Sequence, residues 1–216
     1  QVAGEIPLVG FYLQTIVGGP VLSFDFWRRF ARIPNVLAIK VAPFNRYRTL
    51  DVVRGLVAAQ AEDRVFLYTG NDDHIVLDLS QPFTAMRRGE PVTVRFRGGL
   101  LGHWSVWTSG AVSLLRRIKQ SLAVSGPGLS ADLLALDSQV TDCNAAFFDV
   151  ANGFAGCIAG CHEVLRRQGL LEGIWCLDPE EGLGPGQAAE IDRVYQQHRE
   201  LSDDAFVREH LQRWLS

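Results

Sequence analysis

Apolar and polar positions along the chain alternate between two periods. IPLVGFYL (6–13) is apolar with little alternation, the pattern of a parallel strand covered on both faces. After Gly18, Gly19 and Pro20, Phe26, Trp27, Phe30 and Ile33 recur at helical spacing within SFDFWRRFARI (23–33). VLAIKVA (36–42) predicts a second strand. A helix from Thr49 to Ala61 follows, with Thr49 as N-cap and Val52, Val53, Leu56 and Val57 as its apolar face. RVFLYTG (64–70) predicts a third strand, running into Asn71, Asp72 and Asp73. Segment 75–91 has no clear period, and MRRGEP (86–91) reads as an exposed turn. Alternation places a fourth strand on VTVRF (92–96) rather than GGLLG (98–102), with an inserted hairpin arm as the other reading of 92–96. SVWTSGAVSLLRRIKQSL (105–122) has helical spacing.

From Leu129 onward only helical patterns occur. One run ends at Gly169, a C-cap by type, and LDPEEGLGPG (177–186) is a loop. Ala188, Ile191, Val194 and Tyr195 line one later helix face; Phe206, Val207, Leu211 and Trp214 line the next. Strands alternating with helices predict a parallel α/β architecture over 1–128, followed by a helical region over 129–216.

Composition narrows the function classes. The 216 residues are 47% hydrophobic and 21% charged, with a formal net charge of −3. That balance makes no electrostatic case for nucleic acid or an anionic membrane as the main partner. No apolar run is long enough to span a bilayer. Residues 1–20 lack the basic and apolar regions of a signal peptide, and a strand beginning so soon after Gln1 reads as a piece of a longer chain. Cys143, Cys157, Cys161 and Cys176 match no zinc spacing, so the expectation is free thiols in a reducing cytoplasm. Cys157, Cys161 and His162 can share a helix face as metal ligands, but their small, apolar neighbours favour packing.

Lys40 stands out against its strand. Of 21 Lys and Arg residues only Lys40 and Lys119 are lysine, and Lys40 is flanked by Val36, Leu37, Ala38, Ile39, Val41 and Ala42. Apolar walls disfavour an ammonium, and a neutral amine can attack a carbonyl to form a Schiff base, which a guanidinium cannot. Snorkelling or pairing with an acid is the structural alternative. Tyr12, near the end of the preceding strand, is a candidate proton relay if neighbouring strands set it beside Lys40. Asn71, Asp72 and Asp73 follow a strand end, where substrate loops belong, and Asp72 and Asp73 suit helix capping equally well. Arg46 is a candidate carboxylate clamp or a solvated loop residue. Gly99 belongs to GGLLGHW (98–104), whose backbone N–H groups can approach an anion, while His103 and Trp104 can simply pack.

Strand-Tyr12, strand-Lys40 and the Gly70-Asn71-Asp72-Asp73 turn, in that order, resemble the dihydrodipicolinate synthase / N-acetylneuraminate lyase family. GFYLQTIVGG, AIKVAPFNRY, YTGNDD and GGLLGHWSVWT are similar to an uncharacterised dihydrodipicolinate synthase-like subfamily. The resemblance implies a (β/α)8 barrel of the class I aldolase type, with this chain supplying strands five to eight and the C-terminal helical region. It further implies a Schiff-base lyase acting on a 2-oxo acid such as pyruvate. Lys40 is then the imine-forming residue, Tyr12 the proton relay, and Asn71, Asp72, Asp73, Arg46 and Gly99 line the substrate site. No metal or organic cofactor is implied, and the full-length form is expected to be a cytoplasmic dimer or tetramer. Val17 stands where the synthase proper has a substrate-binding arginine, which argues against aspartate semialdehyde as second substrate. The alternatives are a non-catalytic barrel that binds a sugar acid or regulates, an inactive fragment, and a barrel enzyme using Asn71, Asp72 and Asp73 with a divalent metal.

Overall fold

The computed structural model describes residues 2–100, 103–124 and 130–216, and the chain divides into two compact units, Gln1–Leu100 and Leu101–Ser216. The expected boundary at 128/129 lies outside the described residues, as do Leu101 and Gly102 of GGLLG.

The first unit opens with a short helix, α1 (Val2–Glu5), and then alternates: β1 (Leu8–Leu13), α2 (Phe24–Ala31), β2 (Val36–Ala42), α3 (Arg46–Ala58), β3 (Phe66–Thr69) and α4 (Ile75–Ser80). An antiparallel hairpin, β4 (Phe83–Arg87) and β5 (Glu90–Val94), precedes β6 (Phe96–Gly99). The main sheet is parallel throughout, in the order β1-β2-β3-β6.

The hairpin turns at Arg88 and Gly89, both at positive φ (53° and 89°), within the segment read as an exposed turn. It also corrects the fourth strand. The alternation of 92–96 belongs mainly to β5, a half-exposed hairpin arm, and the strand that joins the sheet is Phe96–Gly99. A four-residue strand holding two glycines offers too little side-chain alternation to detect.

α3 begins three residues earlier than the periodicity predicts. Asn45 is its N-cap and accepts from the Arg48 N–H at 3.1 Å, which leaves Thr49 inside the helix and fully buried. Val52, Val53, Leu56 and Val57 form the expected buried face. α2 is capped by Ser23 and buries Trp27.

Side chains alternate across the sheet, and the two faces differ sharply. Tyr12, Ile39, Val41 and Leu67 point to one face and are fully buried. Val9, Phe11 and Phe66 point to the other and are exposed at 67%, 50% and 51%. The reading of β1 as covered on both faces is therefore corrected: an apolar run reports hydrophobicity, not whether a neighbour is present to cover it. Parallel sheets are ordinarily covered on both sides, so this open face is the unusual feature of the unit.

The second unit is helical: α5 (Thr108–Val124), α6 (Ala131–Phe147), α7 (Cys157–Arg167), α8 (Gln187–Gln197) and α9 (Asp204–Leu215). Its core joins Val106, Trp107, Cys143, Ala146, Phe147, Val164, Ile191 and Val194. Gly169, at φ +78°, follows the end of α7 and donates to Arg166 O, while Leu170 donates to Leu165 O, so it closes the helix as expected. His103 is buried edge-on against Trp107 and Phe147, with Nδ1 2.6 Å from Asn144 Oδ1, and burial pushes its pKa down to about 4. Among the described residues Cys143, Cys157, Cys161 and Cys176 form no disulfide, and no group of three or more His, Cys, Asp and Glu is placed to hold a metal ion.

The exposed apolar face leads to a testable expectation. Val9→Thr and Phe66→Thr together should reduce binding of an apolar fluorescent dye and self-association measured by light scattering. Surface substitutions of this kind change stability by about 0.5 kcal/mol or less, so denaturant midpoints should hardly move.

Candidate functional site

Lys40 lies on the open face, two residues before the C-terminal end of β2. Its Cα partners are Phe11 on β1 and Tyr68 on β3, and Tyr68 is in turn paired with Gly98 on β6. In-register neighbours share a face, so Phe11, Lys40, Tyr68 and Gly98 form one row across the sheet. The Lys40 ammonium sits 4.6 Å from the centroid of the Phe11 ring, a cation–π contact worth about 0.5–1 kcal/mol at a partly exposed site. Two glycines make room for the row. A Cβ on Gly70 would come within 2.9 Å of Lys40 Cε, and one on Gly98 within 2.6 Å of Tyr68 Cε2.

Tyr12 is not in this row. Its Cα partner is Val41, so its side chain points to the opposite, helix-covered face. There it is fully buried, with its ring 5.0 Å from that of Trp27. Its hydroxyl donates to Leu22 O and accepts from Leu22 N, both at 3.1 Å. The expectation that adjacent strands set Tyr12 beside Lys40 fails by one residue of register, and one residue inverts the face.

Beyond the strand ends a buried polar cluster builds the turn that follows β3. The Asp78 carboxylate, with no solvent exposure, is ion-paired with Arg46. It also accepts from Thr69 Oγ1 at 2.6 Å and from Asn71 Nδ2 at 2.9 Å. Asn71 donates as well to Thr49 Oγ1 at 3.3 Å, and its Oδ1 accepts from the Phe44 N–H at 3.2 Å. That last bond holds Phe44 at φ +48°, a left-handed conformation that costs a non-glycine residue about 1–2 kcal/mol. Asn71 and Arg46, expected at the substrate, are thus committed to bracing the turn. Gly99 is paired with Thr69, and a Cβ there would meet Ile75 Cδ1 at 2.7 Å, so its missing side chain serves the packing of α4. Asp78 and Thr69 had no signal in the sequence beyond their polarity among apolar neighbours, and Thr49 was visible only as a candidate N-cap.

Asp72 is the turn residue that interacts with Lys40. Burial raises its pKa to about 8, the charge of Asp73 adds to the rise, and the Lys40 ammonium opposes it. Asp73 is also raised, chiefly by burial, with His74 opposing. Of the residues singled out from the sequence, Asp72 is thus the one on which the charge of Lys40 acts. The structure adds Phe11 and Tyr68, and sends Tyr12 to the other face.

The first unit thus places Lys40 near the C-terminal ends of four parallel strands, and a solved structure is similar to the chain at the level of fold. A solved structure of the Sulfolobus solfataricus 2-keto-3-deoxygluconate aldolase, in a double-substitution variant, superposes with a TM-score of 0.58 at 13% identity. The match covers 90% of this chain and 54% of that one, so the chain spans about half the length of its structural relative. No family model matches the sequence, and no curated protein does. The fold is an α/β one with a four-stranded parallel sheet, similar to that of this aldolase. Among the described residues no helix is long and apolar enough to cross a membrane.

Asp78→Ala should strip Arg46, Thr69 and Asn71 of their common acceptor. Breaking a buried ion pair by removing one partner costs about 3–5 kcal/mol, to be read from urea denaturation. Asp72 sets a pH dependence. Its folded pKa of about 8 lies above its ordinary 3.8, so its contribution to stability is complete below 3.8 and is lost as pH rises through about 8. Thermal midpoints should fall across that rise, and Asp72→Asn should flatten the fall.

Proposed function

We propose that this chain is the second half, strands five to eight, of a (β/α)8 lyase of the class I aldolase type, and that Lys40 forms a Schiff base with a 2-oxo acid such as pyruvate. The observation that carries this reading is the position of Lys40: the lysine of an otherwise apolar parallel strand, on the uncovered face, near the C-terminal end where such barrels place their chemistry. The open face, with Val9, Phe11 and Phe66 exposed, is what the inner wall of a half barrel presents. The half-length match to an aldolase supports the same reading, and that aldolase's named compound is itself a 2-oxo acid.

The roles follow from geometry. Lys40 Nζ attacks the ketone carbon, and the resulting iminium draws electrons from the adjacent carbon–carbon bond, so that bond can be made or broken. Asp72, whose pKa burial raises to about 8 and on which the Lys40 charge acts, is the residue we assign to proton transfer at the reacting group. The Asp78 cluster keeps that turn in place; Arg46 acts there as a brace.

Incubation with pyruvate and sodium borohydride, followed by intact mass and peptide mapping, tests the proposal. One reduced pyruvate imine on Lys40, absent from Lys40→Met, is expected. An unmodified chain, or an adduct that persists in Lys40→Met, would contradict it.

A further inference from the structure

We propose that the second unit carries a binding site for a small organic cation, an ammonium group on an aromatic or branched apolar body. The proposal does not depend on the imine chemistry of Lys40. A cavity of about 490 Å³ lies where α5, α6 and the start of α9 meet. Small-molecule sites ordinarily enclose roughly 300–1,000 Å³, whereas packed helices leave few voids larger than a water molecule. The wall is aromatic and apolar: Trp104, Trp107 and Phe206, with Leu114, Leu136 and Val140. All of these except Phe206 are buried. Trp107 is held at φ +51°, a left-handed conformation rare for a bulky side chain, and strain of this kind collects at functional sites.

The polar groups of the wall decide the sign of the ligand. His103 is 2% exposed and lines the cavity. Its Nδ1 lies 2.6 Å from Asn144 Oδ1, which can only accept, so Nδ1 carries the hydrogen. Burial pushes the pKa of the ring down to about 4 and so keeps it neutral. Nε2 is therefore left as an acceptor, with no partner among the described residues.

Arg117, the one cation among the described wall residues, is already matched by Asp132 at 3.6 Å. Asp203 is occupied too: it accepts from the Ser109 N–H at 2.9 Å and from Gln168 Nε2 at 2.8 Å. The first of these bonds fastens the turn before α9 to the start of α5. The two backbones come so close there that a Cβ on Gly110 would lie 2.7 Å from Leu201 O. Glu200, exposed on the same turn, makes no ion pair with a described residue. A buried lone pair and an unmatched carboxylate call for a positively charged donor. Aromatic side chains suit the same group, since a ring face attracts an ammonium and ring area takes up its apolar body. An anion of the same shape would meet Glu200 and find Arg117 already paired.

Isothermal titration of the full chain with 2-phenylethylamine, 2-phenylethanol and 3-phenylpropionate, which share a ring and differ in charge, tests the proposal. The amine is expected to bind, the alcohol about tenfold more weakly, and the carboxylate not at all. Glu200→Gln should weaken the amine about fivefold, the scale of an exposed charge pair, and leave the alcohol unchanged. Ser113→Trp, at an exposed wall position on α5, should fill the cavity and abolish amine binding, with the fold of each variant checked by circular dichroism. Lys40→Met should bind the amine as the wild type does. No heat from the amine, or a carboxylate that binds as tightly as the amine, would overturn the site. So would amine binding indifferent to both Ser113→Trp and Glu200→Gln, or binding lost in Lys40→Met. None of these results bears on the Schiff-base reading, because none of the three probes carries a ketone.

Discussion

Register in a parallel sheet is a binary constraint: a residue shares a face with its in-register neighbours or it does not. Here Lys40 pairs with Phe11 and Tyr68, and everything proposed for the site depends on that pairing. It puts the ammonium on the open face over an aromatic ring, and gives Gly70 and Gly98 a spatial reason to be glycine. The same register buries Tyr12 with the helices, where Trp27 and the Leu22 backbone hold it. A shift of one residue between β1 and β2 would exchange Phe11 and Tyr12 beside Lys40.

The strand ends are tied together by a second constraint, the satisfaction of one buried carboxylate. Asp78 has no access to water, so its charge must be compensated within the protein. Arg46 comes from the start of α3, Thr69 from the end of β3, and Asn71 from the turn, so one carboxylate couples three segments. Asn71 extends the coupling to Phe44 and Thr49. Asp72 is the next residue along, so its position depends on this cluster. The same burial that makes Asp78 depend on Arg46 raises the pKa of Asp72 beside it.

Much of the first unit was legible in the sequence because its strands are short, apolar and separated by helical patterns. Lys40 could be singled out because a charge among Val36, Ile39 and Val41 breaks the pattern. What could not be read was anything that depends on register. A tyrosine 28 residues before the lysine suggests two adjacent strands, but the count along the chain does not say which Cα faces which. Arg46 and Asn71 were visible as polar residues at a strand end. Their partner Asp78 was not, because it lies in a segment without clear periodicity that folds as a short helix. The fourth strand was misplaced for the opposite reason: the alternation was real, but it belonged to a hairpin arm.

The most direct measurement of the face assignment is magnetic resonance on protein carrying 13C at the ε-carbons of lysine. Only Lys40 and Lys119 would be observed. The account predicts that the Lys40 methylene protons are shifted upfield by the Phe11 ring, show Overhauser contacts to Phe11, and lose the shift in Phe11→Leu. Contacts from those protons to the ring of Tyr12, or a Lys40 signal indifferent to Phe11→Leu, would contradict it.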